Sequence, residues 1–526
     1  MYNKKFSFLI LCSFFILGIV SNIYVIRFIT FIKIFIILLI PLIITIKLKK
    51  LKIGTILIYV EIFIIGTIYI KLDNAKKKYN HILRGSEEYI CTSQKTKELK
   101  NKYTSIDFIA LKVKKNNVWY DINDIIHVNL IIRNDENKDF TIMYGDSFII
   151  KGSPELICKT KNTKSYIFYK YYTSNGTYYN HFINLGNMKY IGSKPIFYMK
   201  YILEKTRYIL KTSTLKNITS EDSKSILSNL LFGKGDYIEK NLKESYTKSG
   251  IIHILAISGL HIGLIFLIFT FILSLFIKNK TTTSVISLIL SWIYGFIISM
   301  PVSVLRTLIM ISFYKISNIY NRNNFKYSFI FNSLIISLII NPSWIYSVGF
   351  QLSYLATFAI LFIQRDINIF LKTKLHIPLN YLQNSTNEKF MVKIIKWVIK
   401  YILDSISVFI AVNILISPIL LYNFHYINLF SIVSNIVILP FLPLIISLGI
   451  ILILFCWTTY INLLISNILS PTISFLNFII TKLSNVEFFI IYIDEINIKY
   501  IIVYYIFIIS IILFLKNKNT NIMNLE

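Results

Sequence analysis

The line GIIHILAISGLHIGLI, residues 250–265, sets two histidines, a serine and three glycines into an otherwise apolar run. A polar group in hydrocarbon costs free energy unless it is paired or faces water, so polar residues in such a run need a physical reason. On an ideal helix His253 and His261 fall about 80° apart. Both could border one cavity, or both could hydrogen-bond neighbouring helices. Ser258-Gly259 is a candidate unwound point, as in transporters whose broken helices line a substrate path. The Gly259 to Gly263 spacing permits close helix approach. A metal centre is not expected: third and fourth ligands are wanting, and no C-x-x-C pair occurs.

Three further places put polar chemistry inside apolar stretches. Arg306, in MPVSVLRTLIMISF, either snorkels to the surface or faces a wet interior, where its fixed charge and forked donors suit a passing phosphate. Gln351 and Ser353 in VGFQLSYLA form a polar pair that lines a path or joins helices. Asn435, in SIVSNIVILPFLP, is followed by two prolines that should interrupt a helix, giving a lining break or a plain kink.

These groups need a scaffold, and the composition says which kind. The chain of 526 residues is 55% hydrophobic with a mean hydropathy of +0.61, outside the soluble globular range. Spans of about 20 apolar residues are expected where a helix crosses about 30 Å of hydrocarbon. About twelve fit that length. Three come first, near 6–26, 28–46 and 53–70. Nine follow near 251–277, 283–300, 301–316, 327–341, 344–363, 395–421, 428–456, 458–481 and 499–515. Short cytoplasmic loops are rich in Lys and Arg. Placing Lys4 and Lys5 inside also puts KLKKLK (47–52), KNK (278–280), NRNNFK (321–326), the basic stretch 365–400 and the tail inside, and leaves 71–250 outside. The first span lacks a small-residue cleavage site and is expected to remain uncleaved. The net charge of +30 suits an anionic partner, nucleic acid or phospholipid, although an AT-rich genome would also enrich Lys.

The outside segment is different material. FIALKVKK (108–115), IIHVNLII (125–132) and SFIIKG (147–152) alternate polar and apolar residues between turn signals at Asn116-Asn117, Asn134-Asp135 and Gly145-Asp146. Five or so short strands suit a small β-barrel. The expected layout is three spans over 1–70, an extracytoplasmic β domain over 71–205, an amphipathic helical linker over 206–250, a transmembrane domain over 251–516 and a cytoplasmic tail over 517–526. The fold class is thus a polytopic α-helical membrane protein with a small extracytoplasmic β-barrel. Lys76, Lys77 and Lys78, with Tyr169 and Tyr171, could hold single strands through charge and stacking, or could be a solvated charge run and barrel core. Cys91 and Cys158 lie in this segment and could pair or remain separate buried thiols.

The residues from His253 to His261 resemble the signature of the ComEC competence family. The resemblance extends in order to LLFGKGD before them, then VLRTLIMI, VGFQLSYLATFAI and SNIVILP after them; YGDSFIIKGSPE (144–155) resembles the last strands of the family's OB-like domain. It implies an OB-fold outside, a channel within the inner membrane, and import of single-stranded DNA during natural transformation. On that implication His253, Ser258, Gly259, His261, Arg306, Gln351, Ser353 and Asn435 line the DNA path.

Fuller members resemble a fusion with a C-terminal metallo-β-lactamase-like domain proposed as a nuclease. Here about eleven residues follow the last expected span, and the His-x-His-x-Asp-His motif is absent. No G-x-x-x-x-G-K-[ST] loop occurs either. The expectation is therefore a channel that is not an enzyme and holds no cofactor, with the lipid bilayer, a DNA receptor, a separate nuclease, a cytoplasmic motor or helicase and further copies of itself as candidate partners. The alternative is a transporter or polymerase for a small molecule or lipid-linked polysaccharide; the basic excess of the outside segment argues against it.

Overall fold

The computed structural model describes residue 66 and residues 83–99, 103–131, 141–157, 172, 176–233, 238–319, 328–377, 390–485, 490–493, 496–497, 499–508 and 510. Lys76, Lys77, Lys78, Tyr169, Tyr171 and Cys158 lie outside them, as do the three expected N-terminal spans apart from Gly66. The chain forms two compact units, one from residues 1–209 with 272–347, the other from 210–271 with 348–526.

The first unit holds the β domain. Its strands are β1 (Glu88–Ser93), β2 (Lys97–Glu98), β3 (Tyr103–Lys115), β4 (Val118–Ile131), β5 (Thr141–Ile142), β6 (Asp146–Lys151), β7 (Glu155–Leu156), β8 (Thr177–Asn184) and β9 (Met188–Ser193). Seven pair in the order β7-β8-β4-β3-β1-β6-β9. Among the described residues no pairing joins β7 to β9, so the sheet is open where a closed small barrel was expected. The reason is the strand order: β3 and β4 are long and pair along their whole length, and β8, some fifty residues on, adds to β4 in parallel, so that β7 and β9 stand at opposite ends of the sheet. Asn116 and Asn117 (φ 53° and 61°) make the two-residue turn between β3 and β4, the left-handed pair that a tight hairpin requires. Alternation along the strands seals Tyr89, Phe108, Val113, Ile126, Val128 and Phe148 into one core. Cys91 is a free thiol in that core, and burial pushes its thiol up, so it is protonated and inert.

Two polar groups cross this sheet. His127 Nδ1 lies 2.6 Å from Asp107 Oδ1, and the Tyr172 hydroxyl 3.1 Å from His127 Nε2. Burial raises the Asp107 carboxyl, but the hydrogen bond and charge of His127, with Lys95 and Lys97 nearby, outweigh it and leave the carboxyl below its ordinary value. His181, bonded to the Tyr89 hydroxyl at 2.8 Å, is lowered by burial. Both shifts have the same sign for stability. An unfolded chain protonates His181 more readily than the fold does, so stability falls as pH drops below about 6.5; the Asp107 contribution is present above about 4 and lost below it. Hydrogen exchange of β1 and β8 in the detergent-solubilised chain should quicken in the first of these windows, and His181→Asn should remove that step.

The helices are α1 (Tyr198–Leu215), α2 (Glu221–Phe232), α3 (Lys240–Lys248), α4 (Gly259–Ser274), α5 (Lys280–Ile297), α6 (Val302–Ile319), α7 (Ser328–Ile340), α8 (Val348–Phe362), α9 (Gln364–Lys374), α10 (Phe390–Phe424), α11 (Ser431–Ile438), α12 (Phe441–Leu454), α13 (Thr459–Ser484) and α14 (Lys499–Ile508). A short ribbon, β10 (Tyr426–Asn428) with β11 (Ile490–Tyr492), lies in the second unit. By length and composition α5, α6, α10 and α13 can each cross a membrane. Counting the bent pairs α8 with α9 (50°) and α11 with α12 (45°) as single spans gives up to six among the described residues. This is a membrane protein with a β-sheet domain. The run 251–277, expected as one span, opens instead with a 3-10 turn (Ile252–Leu255) and becomes α-helical only at Gly259.

Candidate functional site

The break in the 250–265 run is organised by His261. Its Nδ1 accepts a hydrogen bond from the backbone N–H of Ser258 at 3.0 Å, satisfying one of the amides that a helix N-terminus leaves without an intrahelical partner. Because Nδ1 is the acceptor, a neutral ring carries its hydrogen on Nε2. That N–H is a donor on a side chain only 1% exposed, and it meets no protein acceptor among the described residues. Burying a donor in this state is costly, so the position must be held by the surrounding fold.

The other expected residues fall out differently. His253 sits on the 3-10 turn, exposed, so the helical angle between it and His261 does not apply. Ser258 is half-buried in the break, and Gly259 is the first residue of α4. Gly263 does not serve close helix approach: a Cβ there would meet nothing within 4 Å. Gln351 and Ser353 are half-buried on α8, where the Thr357 hydroxyl donates to the Ser353 carbonyl at 2.9 Å. Asn435 donates to the Ser431 carbonyl at 2.8 Å, one turn back on α11. Beside it the wholly buried Ser434 hydroxyl has no hydrogen-bond partner among the described residues. Pro440 marks the 45° break that follows. Arg306 belongs to the first unit; it is 3% exposed, does not reach the surface, and donates from Nε to the Val302 carbonyl at 3.3 Å. No group of three His, Cys, Asp or Glu able to hold a metal ion occurs among the described residues.

Two polar features escape a reading based on apolar runs. One is a seam along α13. Asn462, Ser466, Ser470, Ser474 and Asn477 recur almost every fourth residue, and so lie along one face. Asn217 donates to Asn462 at 2.9 Å, Thr219 meets Ser470 at 2.9 Å, Ser223 meets Ser474 at 3.3 Å, and the Tyr246 hydroxyl donates to Asn477 at 2.9 Å. The linker helices α2 and α3 therefore lie along roughly 22 Å of a helix long enough to span the bilayer. The sequence signal was the fourfold spacing of Asn and Ser within an apolar helix. The other is Glu204 on α1, whose side chain is 2% exposed, with Arg207 three residues on.

Against these positions, a family model described as "Competence protein" matches residues 230–518, more than half of the chain. The chain belongs to the competence protein family. Its competence region begins near the end of α2, so all eight residues from His253 to Asn435 singled out in the sequence fall inside it, and the β-sheet domain lies before it. ComE operon protein 3 of Bacillus subtilis (strain 168) is 26% identical over 299 residues, an overlap of 56% of this competence-family chain and 35% of the relative. The chain thus covers about a third of that relative's length. No solved structure matches.

Proposed function

We propose that this competence-family protein forms a membrane channel that admits one DNA strand during natural transformation. The observation that supports it most is His261, a buried N–H donor with no protein acceptor in a region made of apolar helices. A phosphodiester oxygen is the acceptor such a donor suits, since hydrogen bonds to anions are roughly twice as strong as neutral ones. Arg306, in the first unit, is a separate proposed contact, a fixed cation whose fork matches phosphate. His253, Ser258, Gly259, Gln351, Ser353 and Asn435 complete the lining.

In this reading the chain has about twelve spans, lies in the inner membrane with both termini cytoplasmic, and carries its sheet as an OB-like module outside. That module receives DNA through basic and aromatic side chains, Lys76, Lys77, Lys78, Tyr169 and Tyr171 among them. The chain conducts and does not cut: strand degradation, delivery and pulling fall to a separate nuclease, a DNA receptor and a cytoplasmic motor. No cofactor is required.

Deletion tests this directly. Cells lacking the chain should keep labelled DNA at the surface yet internalise none in nuclease-protected form, and a restored copy should recover uptake. Undiminished internal DNA after deletion would remove the reading.

A further inference from the structure

Helix α1 carries Lys200, Glu204 and Arg207 on one face, at the i, i+4, i+7 spacing that aligns side chains along a helix. At its first turn the Lys200 ammonium lies 4.9 Å from the centroid of the Tyr144 ring, in the turn that precedes β6 of the sheet. One turn on, Glu204 is buried, and its Oε1 accepts the Ser299 hydroxyl at 2.5 Å. Arg207 closes the group, donating from Nη1 to Ser299 Oγ at 3.3 Å and standing 3.7 Å from Glu204 Oε2.

The residue that this carboxylate grips is unusual. Ser299 and Met300 link α5 to α6, and both adopt left-handed backbone, φ 64° and 45°. Helices commonly end on such a conformation, but with glycine, because a Cβ there crowds the backbone. Two consecutive non-glycine residues hold it here, with Ser299 N–H bonded to the Phe296 carbonyl at 3.0 Å and Met300 N–H to the Gly295 carbonyl at 2.9 Å. Strained backbone persists only where its surroundings over-determine it. Two residues after Met300, α6 begins, and Arg306 lies in its second turn.

We infer that Glu204 is a positioning residue: by clamping Ser299 it holds the strained α5–α6 turn and so sets the place of Arg306, and through Lys200 and Tyr144 the same helix ties that turn to the sheet domain. The role of Arg306 in this inference rests on the channel reading; the clamp itself does not. A strand arriving at the sheet would then shift the turn ahead of the buried cation through one rigid helix, with no contact between DNA and Glu204.

The test is a cycle of Glu204→Gln and Ser299→Gly in the full chain. Glutamine weakens the clamp, replacing the charge-assisted bond from Ser299 with a neutral one and losing the charge that fixes Arg207; glycine at 299 adopts the left-handed turn without help. Hydrogen exchange of residues 299–305 should quicken about tenfold in Glu204→Gln and return to the parent rate in the double variant, because the turn no longer needs the clamp. DNA uptake should fall about tenfold and recover in the same pattern. A purely structural carboxylate would not be rescued by glycine at 299. Unchanged exchange in Glu204→Gln, or no recovery in the double variant, overturns the clamp. Exchange that follows the pattern while uptake does not would overturn only the link to Arg306, and loss of the channel reading shows separately, as uptake indifferent to deletion of the whole chain.

Discussion

Replacing Arg306 with methionine should abolish most DNA uptake while leaving the protein in the membrane and at least as stable. The guanidinium is 3% exposed on α6, and taking a cation out of water costs several kcal/mol even when it is well bonded. A side chain of similar volume without charge removes that cost, so thermal stability should hold or rise. A merely structural arginine predicts the opposite, loss of fold on replacement. Losing a charge-assisted contact of about 3 kcal/mol to a passing phosphate corresponds to roughly a hundredfold fall in the rate of internalisation. Lysine at 306 keeps the charge without the fork and should recover only part of it. Full uptake by a stable Arg306→Met chain would end the proposed role.

The second large effect is expected at His261. Asparagine there can place its carbonyl oxygen where Nδ1 now stands, keeping the bond from the Ser258 amide while deleting the Nε2 donor. Helix α4 should then form as before, with melting altered by no more than about 1 kcal/mol, the worth of a cap. Uptake should fall about tenfold or more, as expected for one hydrogen bond to an anion. Glutamine, which reaches toward the Nε2 position, should lose the cap and keep more of the transport. If both variants lose stability in step with uptake, His261 serves the helix and not the strand.

Much of this arrangement is written in simple periodicities. The alternation in 108–115 and 125–132 gave β3 and β4, Asn116-Asn117 gave their turn, and the apolar runs gave α5, α6, α10 and α13 within a few residues. The open sheet, where a closed barrel was expected, was not legible, because the parallel addition of β8 to β4 depends on pairing between distant segments that no local pattern encodes. The site was legible in kind: two histidines, an arginine and an asparagine are conspicuous in apolar stretches. Their geometry was not. Only the fold reveals that His261 spends one nitrogen on a helix cap, that His253 leaves the helix, and that Arg306 stays buried. The α13 seam went unread because serine costs little in a hydropathy sum, and only its partners on α2, α3 and the chain before them give the spacing meaning.

The length of α10 has a mechanical consequence. Thirty-five residues make a rod of roughly 52 Å, while the slab it is long enough to cross is about 30 Å thick, and even a steep tilt of about 40° leaves a little over two turns outside. The first end of the helix carries Lys393 and Lys400 on its accessible side, with Lys396 buried. If that end meets the headgroups, the rod would work as a lever with its short arm among lipid phosphates. Thinning the bilayer or changing its headgroup charge would then swing the inner arm, so lipid composition alone should alter the rate of the proposed DNA passage.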